Sequence, residues 1–273
     1  MSALERWRAE LAGWAIPDEI LAAAPESPWG FPTELFRTRA EHPPADPSAT
    51  TQIALEALGT GGDVLDVGVG GGATSLPLAN VATRITVVDE SADMLAGLPA
   101  SARATGVEAC TVEGRWPDAG PDAPAADVVV CGHVLYNVSD LEPFVRALDA
   151  HARRRVVVEI TPSHPLVWMG DLWRRFHGLE RPTGPSADLA VDAIRQLGIE
   201  VRREDESRVP RSGGFERRED AIAFVRRRLC LPADRDPEVA EALGDRLAER
   251  GGLWAASPVE HQIVTLWWDR STA

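Results

Sequence analysis

The sequence predicts an α/β fold in which a mostly parallel sheet is covered by helices on both faces. From Asp63 onward, short runs rich in valine and isoleucine alternate with stretches of helical character. These runs are apolar at nearly every position, as in strands that are buried on both faces. The chain has 273 residues, of which 44% are hydrophobic, so it can form a sizeable core without disulfides or metals.

The first sixty residues predict helices separated by proline-rich breaks. Apolar residues at positions 4, 7, 11 and 14 form a helical stripe, and Pro17 followed by two acids is typical of a second helix start. Asp46 is expected to cap a third helix that ends at Leu58. We therefore expect residues 1–60 to form a helical cap, residues 61–165 a ligand-binding core, and residues 166–273 the rest of the sheet with inserted helices.

Seven strands and their connecting helices follow in chain order. The strands are expected at 64–67, 84–88, 107–112, 127–131, 155–160, 199–209 and 261–268. The helices are expected at 73–81, after Ser91, and at 140–150, 166–177, 187–197, 217–229 and 237–250. The regular strand–helix rhythm of the first five strands predicts parallel pairing, and it loosens after residue 160.

A glycine-rich turn after the first strand predicts a nucleoside site. Backbone N–H groups of the turn Gly68–Gly72 can approach a ligand closely because the glycines carry no side chain. Asp89 ends the next strand, where an acid can accept hydrogen bonds from both ribose hydroxyls. Gly68-x-Gly70-x-x-Ala73 also fits the pattern of NAD-binding folds, but Asp66 would then face a pyrophosphate. A carboxylate there suits a cationic cofactor better.

The segment from Asp66 to Gly72, with glycines at 68, 70 and 72, resembles the first motif of class I S-adenosylmethionine-dependent methyltransferases. Residues 88–95 resemble their second motif, and residues 127–138 the fourth strand and loop of the type 11 small-molecule enzymes. The resemblance implies a Rossmann-like sheet with an antiparallel last strand, and S-adenosyl-L-methionine as cofactor. It implies cofactor contacts from Asp66, the three glycines, Asp89, Glu90, Met94, Gly132 and His133.

One position departs from the family pattern. The family often has Gly-Asp-Ala after the third strand, where the aspartate receives the adenine amino group, but this chain has Gly114-Arg115-Trp116. Arg115 cannot accept a hydrogen bond through its side chain. Adenine would have to be recognised by backbone groups or by another acid such as Asp118. Trp116 is expected either to pack on the adenine ring or to cover the edge of the sheet.

Candidates for catalysis and substrate binding follow the fourth and fifth strands, whose carboxyl ends face the ligand in such sheets. His133 is the first candidate for a general base, with contact to the cofactor or a structural role as the alternatives. Tyr136 is expected to orient the substrate, and His164 lies in the loop after the fifth strand. The aromatic residues Trp29, Phe31 and Trp168 are expected to wall the acceptor pocket, unless the helical cap packs on itself.

Composition narrows the function further. All 28 basic residues are arginine, so lysine-dependent chemistry such as Schiff-base catalysis or a Walker-type phosphate loop is excluded. The net charge of −14 and the absence of base-methylation motifs argue against nucleic acid, and no metal or membrane contact is expected. We expect a cytoplasmic enzyme with a small-molecule substrate, and a homodimer is compatible with the sequence. An NAD-dependent oxidoreductase and a non-catalytic S-adenosylmethionine-binding protein are the alternatives.

Overall fold

A computed structural model describes residues 1–29, 46–68, 72–96, 105–208, 214–256 and 261–270. Within these ranges, nine strands form a seven-stranded sheet and a separate two-stranded hairpin. The strands are β1 Gly62–Val67, β2 Ala82–Asp89, β3 Glu108–Glu113, β4 Ala126–Gly132, β5 Ala152–Ile160, β6 Arg202–Arg208, β7 Leu247–Arg250, β8 Leu253–Ala256 and β9 His261–Asp269.

The large sheet has the strand order β3-β2-β1-β4-β5-β9-β6. The pairs from β3 to β5 are parallel, whereas β9 runs antiparallel to both β5 and β6, between which it lies. The chain therefore reverses its direction along the sheet after β3, when β4 pairs with β1. Such a reversal opens a crevice at the carboxyl ends of β1 and β4, where ligands bind in open α/β sheets. The predicted Rossmann-like sheet with an antiparallel last strand is confirmed.

Helices cover both faces of this sheet. Those whose bounds lie in the described ranges are α1 Ala3–Ala12, α2 Asp18–Ala23, α3 Ala49–Leu58, α4 Leu141–His151, α5 Gly170–His177, α6 Ala187–Gln196, α7 Arg218–Arg228 and α8 Asp236–Leu243. Residues 92–96 are helical as well. Successive strand residues point to opposite faces. Leu65 and Val67 accordingly pack in the core with α1, α4 and α6, whereas Val64 packs in the core with α3.

A third apolar cluster lies outside the sheet and holds a helical cap together. Residues of α2, α5, α7, α8 and the β7–β8 hairpin pack on one another there, with Trp173, Val225 and Val239 among its most buried members. The cap is joined to the main domain by the N-terminal segment. Trp7 of α1 is fully buried in the main core, while Ile16, just before α2, belongs to the cap cluster.

Three predicted helices differ from the structure. The helix expected at 73–81 is a series of turns with a short 3₁₀-helix, Leu76–Leu78, since Pro77 lacks the N–H that an α-helix needs there. The helix expected at 237–250 ends at Leu243. Residues 251 and 252 are glycines with positive φ, which favours a tight hairpin, so the chain returns as β7 and β8. The third helix begins at Ala49, capped by the Ser48 hydroxyl rather than by Asp46.

The described helices can be compared with the length and apolar character of membrane-spanning helices. Among the described residues, no helix combines the length and the apolar character that crossing a lipid bilayer requires. The cellular location stays a prediction from the sequence.

Candidate functional site

The turn after β1 can be built only with glycine at Gly68. Its φ is +75°, and a Cβ atom there would lie 2.3 Å from the Cγ2 atom of Val134. The Gly68 N–H donates to the Val88 carbonyl at 2.8 Å, which ties the turn to β2. Gly72, where the described chain resumes, has a φ of +76°. Gly70 lies outside the described residues, so its predicted cofactor contact stays a prediction.

A second close approach brings the end of β4 against the residues that follow the glycine turn. A Cβ atom at Gly132 would lie 2.2 Å from Thr74 Oγ1, so any larger residue would push the two segments apart. Thr74 belongs to the turns that replace the expected helix. Glycines at both Gly68 and Gly132 therefore create a narrow junction between β1 and β4. This junction lies at the crevice where the strand order reverses.

Asp66 is a carboxylate buried without a partner beside this junction. It lies in β1 with 1% of its surface exposed, and neither of its oxygens has a hydrogen-bond partner among the described residues. The Ser75 hydroxyl lies near it but outside hydrogen-bond geometry. Burial raises the pKa of Asp66 to about 7, with the nearby Ser75 opposing the rise and the charge of Asp89 adding to it. A cation placed here would stabilise the ionised form.

Asp89 ends β2, the strand that pairs with β1, so it lies at the same edge of the sheet as Asp66, and its charge acts on that residue. The Asp89 side chain is half-buried, and its Oδ1 accepts a hydrogen bond from the Ser91 N–H at 2.9 Å. The Asp89 carbonyl accepts a hydrogen bond from the Gly114 N–H at 2.9 Å, which draws the end of β3 to it. Both carboxylates thus lie at the carboxyl edge of neighbouring strands. Nearby, Glu90 is exposed and Met94 is half-buried.

The residues after β3 are divided between solvent and core. Arg115 is exposed, and so is Asp118. Trp116, by contrast, is buried against α4: its Nε1–H donates to the Phe144 carbonyl at 3.3 Å, and its ring meets His151 edge-on at 4.8 Å. The structure therefore places this indole in the main core, at the edge of the sheet. The predicted contact of Trp116 with adenine stays a prediction.

His133 occupies an unusual backbone position at the end of β4. Its φ is +60°, which is uncommon for a residue other than glycine, and its N–H donates to the Glu159 carbonyl at 2.7 Å. Its Nε2 lies 3.0 Å from Glu159 Oε1, and 45% of the side chain is exposed. Glu159 also accepts a hydrogen bond from the Thr50 hydroxyl at 2.5 Å. His133 is thus held by β5 at the carboxyl end of β4, the sheet edge at which the crevice opens.

Sequence reasoning missed Glu159 and Thr50. One signal could have identified the glutamate: it is the single charged residue in the apolar run Val156–Ile160, close to the carboxyl end of the strand. A charge in such a run is rarely tolerated without a partner. Nothing in the local pattern around Thr50 marks it, because its contact depends on how α3 crosses β5.

Tyr136 and His164 are part of a buried aromatic stack. The Tyr136 hydroxyl donates to the Thr161 carbonyl at 2.6 Å, and its ring stacks on Trp7 at 5.5 Å. Burial raises the pKa of this phenol. His164 stacks on Trp14 at 3.8 Å and meets Tyr136 edge-on at 5.5 Å. The described geometry shows both side chains holding the N-terminal segment to the core, so their predicted roles toward a substrate stay predictions.

His164 is kept neutral by its surroundings. Burial lowers its pKa to about 3, and the charge of Arg181 adds to the effect. Its Nδ1 accepts a hydrogen bond from the Leu166 N–H at 3.3 Å. Arg181 lies between the rings of Trp14 and Trp173, 5.0 Å from each ring centre. This arrangement joins the main domain to the cap through aromatic and cationic contacts.

The three aromatic residues expected to wall an acceptor pocket have different outcomes. Trp29 is 53% exposed and borders a cavity of about 20 Å³ together with Trp14, Trp173 and Arg181. Trp168 packs in the cap cluster, where its carbonyl accepts a hydrogen bond from Arg246. Phe31 lies outside the described residues. This cavity is about the size of one water molecule, so it is too small to hold an acceptor.

Two other features lie apart from the site chemistry. A surface groove of about 530 Å³ runs along residues 195–202, at the amino end of β6 and away from the carboxyl edge of the parallel strands. Cys131 is fully buried in β4, and burial raises the pKa of its thiol well above the usual value, with the charge of Asp66 adding to this. The thiol is therefore not poised as a nucleophile. Within the described ranges, no three potential metal ligands come together.

Comparisons with known proteins agree with this geometry. Residues 64–154 match the family described as a methyltransferase domain. The chain is 27% identical over 240 residues to an uncharacterized protein of Haemophilus influenzae, a match that covers 84% of this chain and 85% of that protein.

Solved structures share the fold at low sequence identity. Magnesium protoporphyrin IX methyltransferase of Synechocystis PCC 6803, solved with bound SAH, has a TM-score of 0.50 and 14% identity, covering 88% of this chain and 94% of that one. The YcgJ protein of Bacillus subtilis has a TM-score of 0.51 and 14% identity, covering 82% and 99%. Residues 64–154 therefore match a methyltransferase-domain model, and the sheet that contains them has the Rossmann-like fold of the class I methyltransferases.

Proposed function

We propose that this chain transfers a methyl group from S-adenosylmethionine to a small-molecule acceptor. One observation carries the choice of cofactor: the Asp66 carboxylate is buried at the glycine turn without a partner among the described residues. Leaving a buried charge unpaired is costly, and an ammonium group would remove that cost. S-adenosylmethionine carries both an ammonium and a ribose, for which Asp66 and Asp89 are suitable partners.

The residues present fit this cofactor in three respects. Asp66 would pair with the ammonium, Asp89 would accept hydrogen bonds from the ribose hydroxyls, and Gly68 would let the backbone approach the ligand. When bound, the sulfonium supplies a methyl group that is already activated for transfer. The protein then has to hold the acceptor in line with that methyl and keep water away, which can supply much of the rate.

The local structure weakens the alternative of a dinucleotide cofactor. Dinucleotide folds place the pyrophosphate at the amino end of an α-helix that follows the glycine turn. Here the residues after the turn form only a three-residue 3₁₀-helix, so the dipole of a long helix is missing. The carboxylate of Asp66 would also repel a pyrophosphate. Both features disfavour the binding of NAD, whereas neither disfavours the binding of a sulfonium cofactor, which has no pyrophosphate.

A small molecule is the favoured acceptor because the chain carries a net charge of −14, which repels a polyanion. The arginine-rich helices do not overturn this, since many of their charges face acids of the same or a neighbouring element, as Arg217 faces Asp220 and Arg235 faces Glu238. A gel-shift titration with DNA and RNA at about 0.15 M salt should show no complex below roughly 10⁻⁶ M. A tighter, salt-sensitive complex would contradict the proposal of a small acceptor.

Calorimetry tests the cofactor directly. S-adenosylmethionine and S-adenosylhomocysteine should bind the purified protein, and NAD and NADP should give no heat. Asp89→Ala should weaken S-adenosylhomocysteine by about 1–3 kcal/mol, or roughly 5- to 150-fold, since a charge-assisted acceptor is removed. Asp234→Ala, which removes an exposed acid of the cap, serves as the control and should leave the affinity unchanged. NAD binding with no response to the sulfonium compounds would refute the proposal.

A further inference from the structure

We infer that Glu159 positions His133 as the general base for an acceptor that must lose a proton, which makes the acceptor a hydroxyl compound. The inference rests on the proposed methyltransferase function and deepens it. Methyl transfer to a neutral amine needs no base before the C–N bond forms. A phenol or alcohol, by contrast, is a poor nucleophile until its proton is removed.

The negative charge of Glu159 organises the polar side chains around it. His133 Nε2 lies 3.0 Å from Glu159 Oε1 as an ion-pair contact, and Thr50 donates to Glu159 Oε2 at 2.5 Å, because a carboxylate can only accept. Because the Thr50 proton is used in this way, Thr265 must donate to Thr50, at 2.8 Å. The nearby carboxylate of Glu159 therefore favours the tautomer in which a neutral His133 ring carries its proton on Nε2. Nδ1 keeps its lone pair, as a general base requires.

The exposed fractions of these side chains show that the threonine end of the cluster is buried and that the histidine end is accessible to solvent. Thr50 and Thr265 are 2% and 0% exposed, and the Glu159 side chain is 15% exposed. The His133 side chain is 45% exposed, and its Nδ1 has no hydrogen-bond partner among the described residues. The threonines therefore anchor the carboxylate inside the protein, the carboxylate lies against one side of the imidazole, and the half-exposed ring lies at the end of β4.

The backbone adds a second constraint on the ring. The His133 N–H donates to the Glu159 carbonyl at 2.7 Å, so main chain and side chain of the same glutamate hold the histidine. The positive φ of His133 is a conformation that L-residues adopt unfavourably, so it persists only when the surroundings impose it. The neighbouring Gly132 lies against Thr74, which places this corner directly beside the glycine turn.

The proposed step conserves atoms and charge. The acceptor oxygen forms the new C–O bond as the S–CH₃ bond breaks, with the electron pair of that bond left on sulfur, which becomes a neutral thioether. The hydroxyl proton passes to Nδ1 of His133. Glu159 then stabilises the resulting imidazolium by a charge-assisted hydrogen bond, as the aspartate does in a catalytic triad.

Two readouts that need no acceptor test the geometry. Long-range ¹H–¹⁵N spectra should show the proton of the neutral His133 ring on Nε2 in the wild-type protein. In Glu159→Gln the side-chain amide can donate to Nε2, so the proton should move to Nδ1 in a measurable fraction of molecules. S-adenosylhomocysteine affinity should be unchanged in this variant. A wild-type ring with its proton on Nδ1 would overturn the inference.

Turnover tests the chemistry. Methyl-labelled S-adenosylmethionine is incubated with the protein, a panel of phenols, alcohols and amines, and a protein-free extract of small molecules. Label should enter O-methyl products. With the best hydroxyl acceptor, Glu159→Gln should lower kcat at least about 100-fold with KM nearly unchanged, the loss typical of a general base held in the wrong tautomer. Thr50→Val should lower kcat up to roughly fivefold, and Thr50→Ser should restore it.

Each remaining outcome has a defined meaning. Glu206→Gln is the matched control, because Glu206 accepts a hydrogen bond from Ala49 of the same helix as Thr50 but does not contact His133. It should leave kcat unchanged. Label only in N- or C-methyl products, or equal turnover by His133→Asn, would overturn the inference while leaving the proposed function intact. Cofactor binding without any methyl transfer would overturn both. A protein that binds neither S-adenosylmethionine nor S-adenosylhomocysteine would instead refute the proposed function itself.

Discussion

Replacing the buried carboxylate by Asp66→Asn should change how stability depends on pH. The ordinary pKa of an aspartate is 3.8, and burial raises that of Asp66 to about 7. The unfolded chain therefore releases this proton first, and the free energy of unfolding should fall as the pH rises through this window. A pKa difference of about 3, at about 1.4 kcal/mol for each pH unit, corresponds to a loss of stability on the order of 4 kcal/mol. This loss is complete above about pH 7. The asparagine variant cannot ionise and should escape this loss.

The assay is urea denaturation, followed by tryptophan fluorescence, of both proteins at several values between about pH 4 and pH 8. The quantity of interest is the stability of Asp66→Asn minus that of the wild type, because other groups titrate in the same window. This difference should grow with pH and level off above about 7. Saturating S-adenosylhomocysteine should reduce it, since an ammonium beside Asp66 favours the ionised form. A difference that does not vary with pH would refute the burial of this charge, and Asp118→Asn controls for the loss of a surface carboxylate.

The other predictions concern stability at three further positions. Gly68→Ala should destabilise the protein more than Gly178→Ala. Both glycines have positive φ, but only at Gly68 would the new Cβ atom clash with a neighbour. In urea denaturation, Gly178→Ala should lower the free energy of unfolding by about 1 kcal/mol. His164 has a pKa of about 3 against 6.5 in the unfolded chain, so its contribution to stability should be complete above pH 6.5 and fade as the pH falls toward 3. His164→Gln should flatten that part of the pH profile, and an unchanged profile would contradict the burial. Trp7→Ala should cost about 3–5 kcal/mol as a fully buried side chain, whereas Trp29→Ala at an exposed site should stay within about 0.5 kcal/mol.

The interpretation of the N-terminus changes once these contacts are known. The sequence suggested a cap that could be considered separately from the core, with aromatic residues free for a pocket. Trp7 instead fills the main core and donates from its Nε1 to the Val138 carbonyl at 2.8 Å. Point substitutions therefore test the role of this segment better than its removal, which would expose the core.

The amino-acid sequence by itself determined the order and type of the strands, the position of the glycine turn, and the two acids, Asp66 and Asp89, beside it. Each of these is encoded locally, because apolar periodicity decides burial and glycine decides where the backbone can turn. The same local signals missed the β7–β8 hairpin. They also overestimated the helix after the turn, where the single residue Pro77 outweighs a favourable pattern.

Only the tertiary structure decided which side chains meet. Trp116 lies against α4, and His164 stacks on Trp14, although both looked equally available to a ligand. The bonds from His133 through Glu159 to Thr50 join the ends of β4 and β5 to α3, segments that are far apart in the chain. Such contacts depend on strand order, register and the helix packed over them. A short stretch of sequence does not contain this information. The fold, and not the neighbouring residues in the chain, decides which partner each buried polar group meets.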